Sequence, residues 1–409
     1  MRFRSLRRGV SDMDKRRLEI LPIALYKLKY LWHWLVQRRD WRNAYSYIWA
    51  TLFTRDAGLA LLDPLIRIFP WLARYPRQME IEVTTHCHLK CKMCEHTYWS
   101  EKPRHMSFSE FKHIVDQFPQ LRWIGMTGIG SSFLNKDYLR MIEYMKAERK
   151  VFVEFFDHFH KMDQRVSKKC IEWGVNKIWV SLENARPESY NAYRLGSDFE
   201  TVIRNIWDLV ELKRRMNSPI PELWFHFIIN KHNLREMKEY VDIVAEIADY
   251  ERGFSAPVIY WTNMLAFDDV ADLAVAVPEE WIEQVKAYCR ELKIFYVFNE
   301  NVAYDRPMSH CVKWTEPFVL ATGHVQPCCA LNEANTREWQ KTHAFMNLLE
   351  EDFRDWWVSP SRKKFIKTIR SNGINDICRY CHIYSHPQGY RFRAQKREGD
   401  LNEIKSLKR

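Results

Sequence analysis

The sequence predicts an α/β protein built around a parallel sheet, with further segments before and after it. Between residue 79 and about residue 300, strand-like runs alternate with helical stretches. Such alternation is typical of parallel strands joined by right-handed crossovers. The first 78 residues read as helical, and the region after residue 300 holds five of the ten cysteines. With 409 residues, the chain is long enough for two or three domains.

The strands are predicted from apolar runs of four to eight residues and the helices from apolar residues three or four apart. Hydrophobic residues make up 46% of the chain, which is enough for a large core and excludes a disordered chain. The predicted strands are 79–84, 122–127, 151–156, 177–182, 223–229 and 257–262, and the predicted helices include 107–117, 136–148, 164–173, 199–215, 233–248 and 278–291.

The net charge of +11 is concentrated at the ends of the chain, mainly in residues 1–78. This segment has 16 Lys and Arg against 6 Asp and Glu, together with ten Trp and Tyr residues. Its amphipathic helices predict either a cap packed on the main domain or a surface that binds an anionic membrane. Nucleic acid is not an expected partner, because the basic residues are interleaved with bulky aliphatic ones and no recognised nucleic-acid module is present.

The sequence also predicts the cellular compartment. The basic start is not followed by a clean apolar segment with a cleavage site, and no run of 18 uncharged apolar residues occurs. We therefore expect a cytoplasmic protein, with peripheral attachment to the inner face of the cell membrane as an alternative. In a reducing compartment, cysteines more often bind metal or remain as thiols than form disulfides.

Three cysteines follow the first predicted strand within eight residues. Cys87, Cys91 and Cys94 are separated by three and then two residues. Three thiolates can bind three irons of a [4Fe–4S] cluster and leave the fourth iron open for another ligand. A zinc site is the alternative, and it would need a fourth ligand nearby. Candidates for that ligand are His86, His88 and His96.

A strand followed by Cys-x3-Cys-x2-Cys resembles the start of a radical S-adenosylmethionine (radical SAM) enzyme. The resemblance implies a partial (β/α)6 TIM-type barrel. It also implies that the open iron binds S-adenosylmethionine, whose reductive cleavage yields a 5′-deoxyadenosyl radical that abstracts hydrogen. An electron donor such as flavodoxin or ferredoxin is implied as a partner. Met93 precedes the third cysteine, where the family commonly has an aromatic residue.

Two later segments resemble the cofactor-binding segments of the family. Gly128 and Gly130 lie where the family has a glycine-rich turn, but Ser131 stands where a glutamate is usual. The segment of the fourth strand implies further contacts to the cofactor. They would come from Ser181, Glu183 and Arg194, with Arg194 at the cofactor carboxylate.

The predicted strand 151–156 ends in three polar residues that could act on the substrate. They are Asp157, His158 and His160. Barrel enzymes place their chemistry at the carboxyl ends of strands, so these side chains are candidates for acid–base roles or polar contacts. The alternative is that they cap the next helix or pair locally.

The C-terminal cysteines resemble the SPASM or shorter twitch extension of radical SAM enzymes. Residues 311–328 read as a hairpin with Gly323 in its turn. The resemblance implies one auxiliary [4Fe–4S] cluster, with Cys329 as a substitute for Cys328 or a bystander, and a zinc ribbon is the alternative. The expected ligands are Cys311, Cys328, Cys378 and Cys381.

The sequence therefore predicts a radical SAM enzyme with a small C-terminal SPASM/twitch-like domain. Its expected reaction is hydrogen abstraction from an unactivated carbon of a membrane lipid or lipid-linked substrate, with C–C bond formation as one outcome. The alternatives are a maturase that modifies ribosomal peptides, a small-molecule dehydrogenase, and a metal-binding scaffold without catalysis. The predicted segments are a basic helical extension 1–78, a barrel 79–300, an auxiliary-cluster domain 301–395 and a charged tail 396–409.

Overall fold

The computed structural model describes most of the chain between residues 24 and 378. The described residues are 24–53, 65, 68–69, 75–99, 101–264, 268–299, 309, 311–329 and 337–378. The predicted ligand Cys381 and the predicted charged tail 396–409 lie outside the described residues. The structural statements below refer to the described residues.

The centre of the molecule is a nine-stranded sheet in the order β11-β10-β1-β3-β4-β5-β7-β8-β9. Its neighbouring strands are parallel, except for the antiparallel pair β10 and β11. A separate short pair joins β2 to β6. The strands are β1 (Gln78–Ile81), β2 (Lys90–Cys91), β3 (Trp123–Met126), β4 (Phe152–Asp157), β5 (Lys177–Ser181), β6 (Arg194–Leu195), β7 (Glu222–Ile229), β8 (Val258–Asn263), β9 (Phe295–Asn299), β10 (Phe318–Val319) and β11 (Val325–Gln326).

Helices cover the outer face of the sheet and bury its apolar side chains. The helices are α1 (24–32), which continues into a π-turn at His33–Gln37, α2 (Trp41–Phe53), α3 (Phe108–Asp116), α4 (Tyr138–Glu143), α5 (Gln164–Trp173), α6 (Pro187–Tyr193), α7 (Phe199–Arg215), α8 (Met237–Tyr250), α9 (Glu279–Glu291), α10 (Arg337–Thr342), α11 (Phe353–Val358) and α12 (Pro360–Arg370). A second π-turn, Tyr144–Glu148, extends α4. Short 3₁₀ segments lie at Glu95–Thr97, Ser132–Leu134, Leu234–Glu236, Asp268–Leu273, Lys313–Thr315 and Asp376–Cys378.

The six predicted barrel strands and the predicted α/β architecture are confirmed. Strand β9 was not predicted, although its sequence Phe-Tyr-Val-Phe-Asn is rich in residues that favour strands. It pairs in parallel with β8 and extends the sheet. Helix α6 was also missed, because its seven residues are too few to establish a helical period.

The C-terminal hairpin is joined directly to the barrel. β10 pairs in parallel with β1, so that Glu80 lies opposite Phe318. The turn between β10 and β11 contains Gly323 at φ +86°, a conformation that other residues rarely adopt. The predicted hairpin is therefore present, and the sheet continues across the predicted boundary at residue 300.

The N-terminal segment packs against the amino ends of the barrel strands. Its core consists of aromatic side chains that meet Trp123 and Phe152, the first residues of β3 and β4. Tyr47 donates a hydrogen bond of 3.0 Å to Glu222, the first residue of β7, and Lys27 forms an ion pair with the same carboxylate. This part of the segment is a cap on the barrel, which was one of the two predicted roles.

The opposite face of the same segment presents apolar side chains to solvent. Trp32 is 59% exposed and Trp41 is 71% exposed, whereas Trp34 between them is 1% exposed. Within the described residues, no helix is long and apolar enough to cross a membrane. The other exposed apolar residues of this face are Leu25, Leu28, Leu35, Val36 and Tyr45.

Candidate functional site

The cysteine loop lies at the carboxyl end of β1, at the opposite end of the barrel from the N-terminal cap. Cys87 and Cys94 are partly buried, and Cys91 is buried in β2. β2 pairs with β6 so that Cys91 lies opposite Arg194. A 3.1 Å hydrogen bond from the Cys94 amide to the Cys91 carbonyl closes the turn between these two thiols. The three predicted ligands are thus held on one ordered loop.

The three thiols are close enough to influence one another electrostatically. Burial raises the pKa of Cys91 to about 11, and neighbouring Cys87 adds to that effect. Burial also raises the pKa of Cys94 to about 12, with Cys91 as the next cause. The thiols therefore keep their protons until a metal replaces them, as thiol ligands of metal sites do. Among the described residues, no three His, Cys, Asp or Glu side chains converge on a single-ion site.

Arg194 and Glu183 form a buried ion pair beside the cysteine loop. The Arg194 Nε donates to Glu183 at 2.6 Å, and its Nη1 lies 3.7 Å from the Cys91 sulfur. Ser181 is partly exposed at the end of β5, where it lies opposite His226 of the neighbouring strand β7. The structure therefore brings Glu183 and Arg194 to the thiols, while Ser181 lies two residues before Glu183 at the end of β5.

The glycine loop after β3 is packed tightly against the chain that leads into the cysteine loop. A Cβ atom on Gly128 would lie 2.3 Å from the Glu82 side chain, and one on Gly130 would lie 2.3 Å from the Thr84 carbonyl oxygen. The Ser131 amide donates to the His86 carbonyl at 2.9 Å. Close packing of two loops is thus one reason for glycine at both positions.

A cluster of imidazoles lies beside the glycine loop. The Ser131 Oγ is 3.0 Å from His158 Nε2, and His88 Nε2 is 3.0 Å from His160 Nδ1. Burial, followed by the charge of Arg194, lowers the pKa of His158 well below its usual value. The imidazole of His158 is therefore neutral, and the position of the missing family glutamate is occupied by a neutral Ser–His pair.

Asp157 lies on the face of β4 that packs against the helices. Side chains alternate along a strand, and Val153 and Phe155 face the helices, so Asp157 shares their face. Its carboxylate accepts a 2.6 Å hydrogen bond from the Phe159 amide, which stabilises a turn in which Phe159 has φ +61°. Burial raises the pKa of Asp157 to about 7. This placement favours the local pairing role over the predicted contact with substrate.

The inner face of the barrel next to the cofactor end is aromatic, which sequence analysis missed. Phe156 and Trp179 stack with their ring centroids 5.0 Å apart, and Tyr260 meets Trp179 edge-on at 5.2 Å. The ring centroid of His226 lies 5.6 Å from that of Tyr260, and burial lowers the pKa of His226 to about 4. The alternation of inward aromatic residues along β4, β5, β7 and β8 could have indicated this wall.

Glu82 and Arg337 were also missed. Glu82 is a fully buried acid just after β1, and its carboxylate is 2.7 Å from Arg337 Nη2 in α10. The sequence signal for an ionic partner was an acid at the end of a strand that is otherwise buried, between Ile81 and Val83.

The described C-terminal cysteines come from three segments that meet. Cys311 and Cys378 both pack against the apolar cluster around Trp314. Burial acts to lower the pKa of Lys313, but neighbouring Glu316 and Cys329 raise it well above its usual value. Cys328 is also buried. Several thiols around one apolar cluster are chemically suited to an iron–sulfur cluster.

The donor sets fit the cofactors that the resemblance implies. Three thiols next to a buried cation suit an anionic cluster, because a nearby positive charge stabilises it. Among the groups that the structure describes, none forms a hydrogen bond with the buried Nδ1 of His88, next to Cys87. The first cysteine loop therefore retains a polar atom that a bound group could satisfy.

Comparison with known proteins supports the iron–sulfur interpretation of the C-terminal cysteines. The model of the SPASM family, described as an iron–sulfur cluster-binding domain, matches residues 311–382. The chain is 22% identical to the tungsten-containing aldehyde ferredoxin oxidoreductase cofactor-modifying protein of Pyrococcus furiosus, over 75% of this chain and 87% of that protein. It is 21% identical to the mycofactocin maturase MftC of Mycolicibacterium smegmatis, over 40% of each chain.

Solved structures show the same fold. Streptococcus suis SuiB bound to S-adenosylmethionine matches with a TM-score of 0.57 and 13% identity, over 84% of this chain and 86% of that chain. SuiB bound to the precursor peptide SuiA matches with a TM-score of 0.54 and 14% identity, over 75% of this chain and 70% of that chain. The chain therefore resembles radical SAM enzymes in sequence and fold, and its residues 311–382 match an iron–sulfur cluster-binding SPASM domain.

Proposed function

We propose that the chain is a radical SAM enzyme, in which Cys87, Cys91 and Cys94 would hold the catalytic [4Fe–4S] cluster and the glycine loop would hold S-adenosylmethionine. When bound, these groups supply an electron and a 5′-deoxyadenosyl radical that abstracts a hydrogen atom from the substrate. The observation that carries the proposal is the ordered loop of three thiols beside the buried cation Arg194. The electron would come from a flavodoxin or ferredoxin.

The residues of this chain would then hold the cofactor and the substrate in place. Arg194 is fixed by Glu183 and directed at Cys91, so it would orient the cluster and the carboxylate of the cofactor. Ser131 is held by His158 and would replace the usual glutamate contact to the amino group. Gly128, Gly130 and Ser181 would shape the same cofactor site.

His158 and His160 are the better candidates for polar contacts with the substrate. Both imidazoles lie in the cluster with His88, beside the glycine loop. Burial lowers the pKa of His160 as well as that of His158, so both rings would be available as neutral donors or acceptors at pH 7. Asp157 would support this cluster through the turn at Phe159.

We propose that the auxiliary [4Fe–4S] cluster is bound by Cys311, Cys378 and Cys381, with Cys328 or Cys329 as the fourth ligand. The match of residues 311–382 to the SPASM family supports this, since it spans all five cysteines. The auxiliary cluster would pass electrons or bind the substrate.

A peptide is the substrate class that the comparisons favour. The similar protein MftC is a maturase, and SuiB has been solved with a precursor peptide. The aromatic wall of Phe156, Trp179 and Tyr260 beside the cofactor site would accommodate an uncharged side chain of such a peptide. Hydrogen abstraction from that side chain would be the first step of its modification.

A membrane lipid or lipid-linked molecule is the second candidate, and the exposed apolar face of the N-terminal segment favours it. Trp32 and Trp41 lie on this face among basic residues, as expected for contact with an anionic membrane at its inner surface. The same segment packs against the amino ends of the strands, whereas the cysteine loop follows their carboxyl ends. A lipid bound there would be far from the cofactor, so membrane attachment fits better than a lipid substrate.

Anaerobic reconstitution tests the chemical class. We expect about eight irons per chain if two [4Fe–4S] clusters form, and 5′-deoxyadenosine after reduction with S-adenosylmethionine. Replacing Cys87, Cys91 and Cys94 together by Ala should abolish this product. The matched control is Cys170→Ala, because Cys170 is buried in α5 and has no assigned ligand role. Stoichiometric zinc without iron uptake would contradict the proposal and favour a scaffold.

Two binding experiments separate the substrate classes. Specific binding to a short peptide encoded beside the gene would support the peptide. Flotation with anionic and neutral vesicles tests the membrane surface, using Trp32→Ala/Trp41→Ala as the surface variant and Tyr250→Ala, which is also exposed, as the control. No binding of the intact chain to anionic vesicles would exclude the membrane candidate.

A further inference from the structure

A buried ion pair links the SPASM domain to the cofactor end of the barrel. Arg337 Nη2 of α10 lies 2.7 Å from Glu82 Oε2, and the two side chains are 5% and 0% exposed. Arg337 belongs to the segment that matches the SPASM family, and Glu82 directly follows β1. In a pair so deeply buried, removing either partner leaves the other charge without solvent or a counter-ion.

Glu82 holds the glycine loop. Its Oε2 accepts a 3.2 Å hydrogen bond from the Ile129 amide, between Gly128 and Gly130. Its methylene groups lie directly under Gly128, where a Cβ atom would approach to 2.3 Å. The other oxygen, Oε1, accepts from the Ala321 amide in the C-terminal hairpin at 3.1 Å. One carboxylate thus fixes the loop that would carry S-adenosylmethionine and contacts the SPASM domain as well.

Arg337 holds the exit of the cysteine loop. Its Nε donates to Glu101 at 3.0 Å, and the guanidinium lies 5.2 Å from the ring centroid of Trp99. Its Nη1 donates to Gln340 within α10 at 3.0 Å. The planar guanidinium therefore contacts segments on both sides of the cysteine loop at once, which a lysine could not do.

We propose that Arg337 is a positioning residue for the S-adenosylmethionine site. By fixing Glu82, it sets the position of the Ile129 amide and the glycine loop, so the docked SPASM domain completes the cofactor site of the barrel. The two domains are then energetically coupled, and coupling is reciprocal. This inference rests on the proposed function, because it assumes that the glycine loop binds the cofactor.

The experiment compares four variants of the full chain with both clusters reconstituted. Arg337→Met removes the charge and Glu82→Gln neutralises its partner. The double variant Glu82→Gln/Arg337→Met removes both charges. Lys341→Met is the matched control, because Lys341 pairs with Glu101 at 3.1 Å but has no described contact with Glu82. The measurements are the Kd for S-adenosylmethionine, the EPR spectrum of the reduced cluster with the cofactor added, and Tm.

We expect Arg337→Met and Glu82→Gln to weaken S-adenosylmethionine binding by about fivefold or more, in the usual range of coupling between sites. Their EPR spectra should change less than that of the wild type when the cofactor is added. The double variant should recover Tm relative to Arg337→Met, because no buried charge is left alone, while its cofactor affinity stays low. Lys341→Met should bind the cofactor like the wild type.

The inference is overturned if Arg337→Met and Glu82→Gln lose Tm but keep wild-type affinity and EPR response, since the pair would then be purely structural. Equal loss of affinity in Lys341→Met would overturn it too. If even the wild type takes up iron without binding S-adenosylmethionine, the proposed function itself fails, and the two failures are thereby distinguished.

Discussion

The guanidinium of Arg194 lies 3.7 Å from the sulfur of Cys91, while its other side is ion-paired with Glu183. The pair is almost fully buried, with 7% and 1% side-chain exposure. Because β2 and β6 place these residues opposite each other, the contact follows from the backbone pairing. A cation fixed in this way favours the thiolate and stabilises the reduced, more negative state of a cluster.

Replacing Arg194 by Met should lower the reduction potential of the cluster proposed at Cys87, Cys91 and Cys94, because the nearby positive charge is removed. It should also cost about 3–5 kcal/mol of stability, since a buried carboxylate is left unpaired. An EPR-monitored redox titration measures the potential, and urea unfolding measures the stability. Arg186→Met removes an exposed ion pair with Glu239 and is the control. An unchanged potential in Arg194→Met would contradict the assignment.

Two tryptophans in the N-terminal segment should respond differently to the same substitution. Trp34 is 1% exposed and packs against the barrel, so Trp34→Ala should cost about 3–5 kcal/mol. Trp32 is 59% exposed, and Trp32→Ala should change stability by less than about 0.5 kcal/mol. Chemical denaturation measures both values. Similar small losses in the two variants would mean that the cap does not stabilise the barrel.

Most of the barrel could be predicted from the sequence, because each strand and helix carries its own local period. The six strands and the cysteine loop were found in this way. The contacts between distant segments could not be found, since nothing in a local pattern specifies them. Glu82 and Arg337 are separated by 255 positions, and Ser131 and His158 by 27. Asp157 is the last residue of β4, one position beyond the predicted strand, and it lies on the helix-facing side of that strand.

Asp157 should make stability depend on pH. Burial raises its pKa to about 7 in the folded protein, above the ordinary value of 3.8. The folded state therefore binds this proton more tightly than the unfolded state. The stabilisation from the bound proton is complete below about pH 4 and is lost as the pH rises through about 7. Asp157→Asn removes the effect and should be more stable than the wild type at pH 8, by about 2–4 kcal/mol.

Unfolding of the wild type and Asp157→Asn between pH 4 and pH 8 measures this difference. Asp163→Asn is a control for the loss of an acid at a helix start, where the Asp163 side chain caps α5. A constant difference between the wild type and Asp157→Asn would show that Asp157 is already ionised in the folded state.

The C-terminal cysteines should divide into ligands and a bystander. Cys378→Ala should lose about four irons per chain, the content of one [4Fe–4S] cluster. It should still cleave S-adenosylmethionine, because the first cysteine loop is unchanged. Cys328→Ala and Cys329→Ala, tested side by side, identify the fourth ligand by which of them loses the same iron. Loss of all iron in Cys378→Ala would mean that the two sites are not independent.

Gly130 should be intolerant of even one added methyl group. A Cβ atom there would lie 2.3 Å from the Thr84 carbonyl oxygen and 2.9 Å from that of His86. Both are backbone atoms, so no side chain can move aside, and the glycine loop must separate from the cysteine loop. Gly130→Ala should therefore weaken S-adenosylmethionine binding by about tenfold or more, equivalent to about 1.4 kcal/mol. The control is Gly253→Ala, where φ is +68° but no atom lies within 4 Å of the added Cβ. That variant should lose about 1 kcal/mol of stability through backbone strain alone and keep its cofactor affinity. Equal cofactor affinity in Gly130→Ala and the wild type would mean that the contact between the two loops does not position the cofactor.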